Sequence, residues 1–341
     1  MALSKPLSGI VNSLHNSLRV LFSGKRALVT GAAGFIGSRL VRELLARGCS
    51  VIAAVRPQGG QERLRDLNGD LEILPLDLNT FTADDLARQK PTVDLIFHLG
   101  AYGVDPGSND PDVMIGTNFR GTYELLKFAR SSSVGRFIHC GSCFEYPSGQ
   151  MIKEDVMPEP VSEYGASKAA AWMFVNQFYR QHHLPVITLR PFTVYGPGES
   201  PRRLVSSVIQ AILKQEPLEL TAGEQARDFV FVDDVVNAFL LAAGADKILE
   251  GETFNVSTGI ETSVKAVVLK IIDLMGADVK PSFGAVPYRP SEFWHLSGDP
   301  SKAAAQLRWQ AGTSLEEGLR QTIEWHSSRQ KVLKSNEYGE V

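Results

Sequence analysis

The chain has 341 residues, 43% of them hydrophobic and 21% charged, enough apolar material for a large core and unlike the composition of a disordered chain. Its formal net charge of −3, from 35 Lys and Arg against 38 Asp and Glu, leaves no basic surplus for a phosphate backbone and argues against nucleic acid as a partner. Cys49, Cys140 and Cys143 are too few for a disulfide scaffold and suit a reducing, cytoplasmic compartment.

Residues 1–23 carry Leu3, Leu7, Ile10, Val11, Leu14 and Leu18 at helical spacing, an amphipathic N-terminal extension. Ser, Asn and His interrupt its apolar face, so it reads neither as a membrane span nor as a signal peptide, and no stable membrane insertion is expected. Short β-branched runs at 26–30, 51–55, 71–76, 95–99, 136–140 and 186–189 then alternate with helical patterns at 38–47, 117–131 and 167–182. This alternation predicts an α/β fold, a Rossmann doubly wound parallel sheet over 24–195. Gly196-Pro197-Gly198 breaks the chain; a helix at 203–214 and a strand-rich stretch at 218–232 follow. We expect 196–330 to form mostly a smaller C-terminal substrate-binding region, and 331–341 a frayed tail.

Between the first strand and helix the sequence reads LVTGAAGFIGS from Leu28 to Ser38. Gly31 permits a tight turn, Gly34 lets the backbone approach a pyrophosphate, and Gly37 lets the helix pack closely. The helix N-terminus, at Phe35 and Ile36, then offers free N–H groups to the anion. An acid at the end of the second strand would bind the ribose 2′-hydroxyl of NAD, but Val55 stands there and Arg56 follows. A guanidinium suits the 2′-phosphate, so NADP is favoured and NAD remains possible. Asp77 and Leu78 at the end of the third strand, and Leu99 at the end of the fourth, are further cofactor contacts; capping a turn is the other reading of Asp77.

Tyr164 and Lys168 stand four apart, on one face of a helix. Beside the phenol, Lys168 would stabilise the phenolate and lower its pKa, making Tyr164 a proton donor or acceptor near neutral pH. Ser142, at the end of a preceding strand, offers a hydroxyl to the same cleft. Cys140 and Cys143 form C-G-S-C, but no second Cys/His pair follows at zinc spacing, so no metal site is assigned.

In this order the motifs TGAAGFIG, FHLGA (97–101), TNFRGT (117–122), HCGS, YGASK, LRPFTVYGPG (189–198) and RDFVFVDDVVNA (227–238) resemble the extended short-chain dehydrogenase/reductase family, of the NAD-dependent epimerase/dehydratase type. The resemblance implies that Ser142, Tyr164 and Lys168 are catalytic and that Asn118 helps by keeping its helix bent and a water in place. It implies a nucleotide-sugar substrate, with Ser142, Tyr164 and Thr193 at the sugar and Arg227 and Arg289 on the diphosphate. It also implies a homodimer through a four-helix bundle of 117–131 and 167–182, where Phe119, Leu126, Met173 and Phe178 supply either that seam or the monomer core.

Dehydratases of this family carry an acid pair where Cys143 and Phe144 stand, and neither of these can protonate a leaving hydroxyl or abstract a proton. Glu145 comes one place later and, along a strand, would point away from Phe144's face, whereas a bend there would let it reach the cleft. Thr193 replaces an Asn common in epimerases, and the segments GEQARDFVFVDDVVNAF and VYGPGE resemble the CDP-abequose synthase group. The expected reaction is therefore NADPH-dependent reduction of the 4-keto group of a CDP-, dTDP- or GDP-linked 4-keto-6-deoxyhexose, with hydride to C4 and the proton from Tyr164. A nucleotide-sugar 4-epimerase is the alternative, and a non-catalytic dinucleotide sensor a remote one.

Overall fold

The computed structural model describes residues 20–89, 93–105 and 107–337, so the N-terminal extension lies almost wholly outside the described residues. The elements run β1 (Arg26–Thr30), α1 (Phe35–Ala46), β2 (Ser50–Val55), β3 (Leu71–Pro75), α2 (Ala83–Gln89), β4 (Leu95–His98), α3 (Gly121–Ser131), β5 (Arg136–Cys140), β6 (Gly149–Ile152), α4 (Glu163–His182), β7 (Val186–Pro191) and β8 (Thr193–Tyr195). After these come α5 (Leu204–Lys214), β9 (Glu219–Leu220), β10 (Ala226–Phe231), α6 (Val232–Ala243), β11 (Thr253–Val256), β12 (Glu261–Ser263), α7 (Val264–Met275), β13 (Ser282–Phe283), β14 (His295–Gly298) and α8 (Leu315–Glu337).

Seven strands form one parallel sheet in the order β11-β7-β5-β4-β1-β2-β3. Helices cover both faces, which is why β1 reads as an almost continuous apolar run and Ala27 to Thr30 are all buried. Helix α1 lays Leu40, Val41, Leu44 and Leu45 inward, the i, i+1, i+4, i+5 stripe that an amphipathic helix presents to a sheet. Strand order reverses between β1 and β4, and such a switch point opens a crevice at the carboxyl ends of the strands.

A second sheet runs β12-β10-β14-β6, with β8 parallel to β10, and β9 pairs with β13. These pairings correct the expected boundary at 195/196. β11 lies beyond it, yet closes the first sheet beside β7; β6 lies before it, yet joins the second. Hydrophobic patterning shows where strands are, but not which sheet each one completes. Helix α8 continues to Glu337, and the rest of the expected tail lies outside the described residues. Among the described residues, no helix is long and apolar enough to cross a membrane. Of the four seam residues, Leu126 and Phe178 are buried in the monomer core, whereas Met173 is exposed and Phe119 packs edge-on against Phe174.

Beneath the cleft, His98 is fully buried between Thr30 and Thr122, its ring nitrogens 2.7 and 2.8 Å from their hydroxyls. Burial pushes its pKa from 6.5 to about 3, and His139, stacked on it at 6.0 Å, shifts the same way. In the unfolded chain both imidazoles protonate below pH 6.5 while the folded protein keeps them neutral, so stability is complete above that pH and falls as the pH drops. We expect urea unfolding free energy to fall by about 2 kcal/mol per histidine between pH 7 and 5. His98→Gln should remove one such increment; an unchanged pH dependence in that variant contradicts the assignment.

Candidate active site

The crevice between β1 and β4 opens into a cleft of about 2330 Å³ that runs from the glycine loop to the C-terminal strands. Gly31 has φ +66°, and a Cβ there would sit 2.8 Å from the Gly100 nitrogen; a Cβ on Gly37 would collide with the Gly31 carbonyl. Side chains are thus excluded where β1 turns into α1. Gly34 caps α1 with no side-chain hydrogen bond, and Gly34, Phe35, Ile36 and Gly37 all line the cleft. That is the cradle a pyrophosphate needs.

Further along, Arg56, Asp77, Leu78 and Leu99 also line the cleft. Arg56 is exposed, and among the described residues no hydrogen bond or ion pair engages its guanidinium. Asp77 does cap a turn, accepting the Asn79 N–H at 2.9 Å. Two cleft residues escaped the sequence reading. Arg63 donates to Ala33 and Gly198 carbonyls, and Arg39 donates to the Pro197 carbonyl; together they tie the Gly196-Pro197-Gly198 turn to the glycine loop. No motif marks an arginine whose partners are backbone oxygens far along the chain.

Ser142, Tyr164 and Lys168 come together on the opposite wall. Ser162 caps α4 by accepting the Gly165 N–H at 3.1 Å, which starts the helix at Glu163 and sets Tyr164 and Lys168 one turn apart in its first two turns. Burial holds the Tyr164 phenol above its usual pKa, and the nearby Ser142 hydroxyl only partly offsets this. Lys168 does not offset that burial as expected. Its Nζ donates to the Cys140 carbonyl at 2.6 Å, and its own pKa is lowered by burial.

Asn118 sits in a π-turn (Ile115–Arg120) leading into α3, the bend expected there. Its amide is committed to the protein: Oδ1 accepts the Tyr102 N–H at 2.7 Å, and Nδ2 donates to the Tyr102 carbonyl and to Ser167 Oγ at 2.8 and 2.9 Å. Asn118 is therefore a positioning residue that ties the β4 loop to α4, not a group that touches the reacting atoms.

Cys143, Phe144 and Thr193 line the cleft, and the Phe144 ring meets Tyr164 and Phe293 edge-on at 6.0 and 5.3 Å. Residues Cys143–Glu145 form a 3-10 turn instead of a strand. It carries Glu145 into the core, where it pairs with Arg190, so Glu145 is no substitute for the missing acid pair. Arg227 and Arg289 both border the cleft. Arg227 pairs with Glu292 and donates to the Phe293 carbonyl at 2.5 Å, while its neighbour Asp228 is taken by Thr258 and Gly259.

Residues 27–257 match the NAD dependent epimerase/dehydratase family. The chain belongs to this family. It is 34% identical over 320 residues, 89% of this chain and 99% of the relative, to a UDP-glucose 4-epimerase of Mycolicibacterium smegmatis. It is 31% identical over 329 residues, 89% of this chain and 93% of the relative, to a dTDP-glucose 4,6-dehydratase of Xanthomonas campestris. A crystal structure of a Bacillus cereus UDP-glucuronic acid 4-epimerase mutant, in complex with UDP-4-deoxy-4-fluoro-glucuronic acid and NAD, superposes with TM-score 0.79 at 27% identity, covering 89% of this chain and 99% of that one. The protein is thus an enzyme of the NAD-dependent nucleotide-sugar epimerase/dehydratase family, and the glycine cradle and the Ser142–Tyr164–Lys168 wall fit a dinucleotide and a sugar lying between them.

Proposed function

We propose that the protein is a nucleotide-sugar 4-epimerase, in place of the 4-ketoreductase expected from sequence. The likeness to 4-epimerases over nearly the whole chain carries this reading over ketoreduction, and a complete Ser142–Tyr164–Lys168 wall with Cys143 and Phe144 beside it argues against dehydration. Oxidation and re-reduction at one carbon need only the first set; loss of water needs an acid and a base that the second cannot supply.

In this reading the sugar's O4 lies between Ser142 and Tyr164. Ser142 donates a hydrogen bond to O4, and Tyr164 takes the O4 proton as the carbonyl forms, then returns it after the ring has turned its other face. Lys168 would hold the cofactor ribose. A dinucleotide held by the glycine cradle would supply the hydride acceptor and later the donor. Arg227 and Arg289 would hold the diphosphate, each able to bond two oxygens.

One observation favours the 4-ketoreductase as a second reading: the unengaged Arg56 at the end of β2, with Val55 where a carboxylate would select NAD, suits the 2′-phosphate of NADPH. Arg56→Asp should shift the ratio of NADP to NAD affinity toward NAD by roughly ten-fold or more, read by titrating the reduced cofactors' fluorescence; an unmoved ratio removes Arg56 from the site.

Incubated without added cofactor, UDP-glucose, UDP-glucuronate or UDP-N-acetylglucosamine should give its C4 epimer by NMR. Tyr164→Phe should slow this by about 10²- to 10⁴-fold while leaving dinucleotide binding intact. Unchanged C4 configuration in all three, with stoichiometric NADPH consumption on a dTDP- or CDP-4-keto-6-deoxyhexose, would contradict epimerisation and establish the reductase.

A further inference from the structure

Glu145 and Arg190 are both fully buried, with 2.7 Å between carboxylate and guanidinium. Such a pair does little for a fold. Stripping water from two ions cancels most of their attraction, and an apolar pair of similar shape serves a core as well. Its position beneath Ser142 calls for another reason.

Glu145 Oε1 accepts the Ser142 N–H at 2.6 Å, and Ser142 Oγ in turn accepts the Phe144 N–H at 3.2 Å. With that acceptor site taken, the hydroxyl keeps its proton to donate into the cleft, which Tyr164 also lines. The other carboxylate oxygen accepts from Arg190 Nε at 2.8 Å. Arg190 is itself fixed: its guanidinium carbon lies 4.5 Å from the ring centres of both Tyr146 and Trp172, and it donates to the Tyr146 hydroxyl at 2.7 Å. Trp172 is on α4, four residues beyond Lys168 and on the same side of the helix. One ionic unit therefore touches both the serine turn and the helix that carries the other two groups. Gly141 makes room for it, since a Cβ there would lie 2.7 Å from Glu145 Oε1 and 3.0 Å from Arg190 Cγ.

We propose that Glu145, held by Arg190, is a positioning residue that fixes the Ser142 hydroxyl against Tyr164 and Lys168. This rests on the hydride reading of Ser142, Tyr164 and Lys168.

The test is a mutant cycle on whichever nucleotide-sugar the wild type turns over, with kcat, KM, dinucleotide affinity and Tm measured throughout. Replacing the pair by the apolar Glu145→Leu/Arg190→Met should lower kcat by roughly 10- to 100-fold with KM and dinucleotide affinity changed less than about three-fold. Glu145→Asp, which keeps the charge beside Arg190 but shortens the reach to the Ser142 amide, should do the same and guards against misfolding of the apolar variant. Glu145→Gln/Arg190→Met restores an acceptor for that amide without the arginine clamp, and should recover at least about three-fold of the kcat lost in the apolar pair. In a Ser142→Ala background, none of these changes should lower kcat by more than about three-fold further. Equal losses with and without Ser142, or losses that follow Tm alone, overturn the proposal. A Ser142→Ala variant with wild-type kcat instead refutes the role given to Ser142 itself.

Discussion

All seven strands of the main sheet run in one direction, so every loop that leaves a strand's carboxyl end emerges along the same edge. Because the strand order reverses between β1 and β4, the loops there diverge to opposite faces and leave a crevice between them. The glycine turn after β1, Leu99 after β4 and Ser142 after β5 are distant in sequence, yet parallelism alone delivers them to one cleft. The second sheet then closes the far side and brings Arg227 to the same space. Without the common direction, none of these motifs would meet.

The parts legible in the sequence are those whose physics is local. β1 and β5 match their expected bounds because a doubly covered strand is rich in apolar and β-branched residues, and the glycine loop is visible because only glycine fits turns that crowded. Tyr164 and Lys168 share a helix face by spacing alone. What was not legible depends on partners distant in sequence. Glu145 goes inward because Arg190, 45 residues later, is there to receive it. Asn118 is consumed by Tyr102 and Ser167, and Arg227 by Glu292, 65 residues away. The expected division at 195/196 failed because β11 supplies the last strand of the first sheet from well beyond it.

Charge placement within the cleft sorts the chemistry. Burial holds the Tyr164 phenol protonated and weakens the Lys168 ammonium, so a group that adds positive charge beside them, such as an oxidised nicotinamide, would favour the phenolate. Cys143 is pushed by burial to about 12 and stays a thiol. It offers neither an acid nor a base at neutral pH, and Phe144 beside it presents only hydrocarbon. In the proposed reading the wall serves proton exchange at a single oxygen, which both epimerisation and carbonyl reduction require and dehydration exceeds.

The claim on which the account turns is that C4 of the sugar exchanges hydride with the bound dinucleotide. A nucleotide-sugar deuterated at C4, incubated with the enzyme and followed by mass spectrometry of both sugar and cofactor, tests it most directly. The account predicts that the epimerised sugar keeps its deuterium in ordinary water, and that the label is found on the dinucleotide when turnover is stopped early. Loss of the label to solvent, or epimerisation with no label ever reaching the dinucleotide, would contradict it.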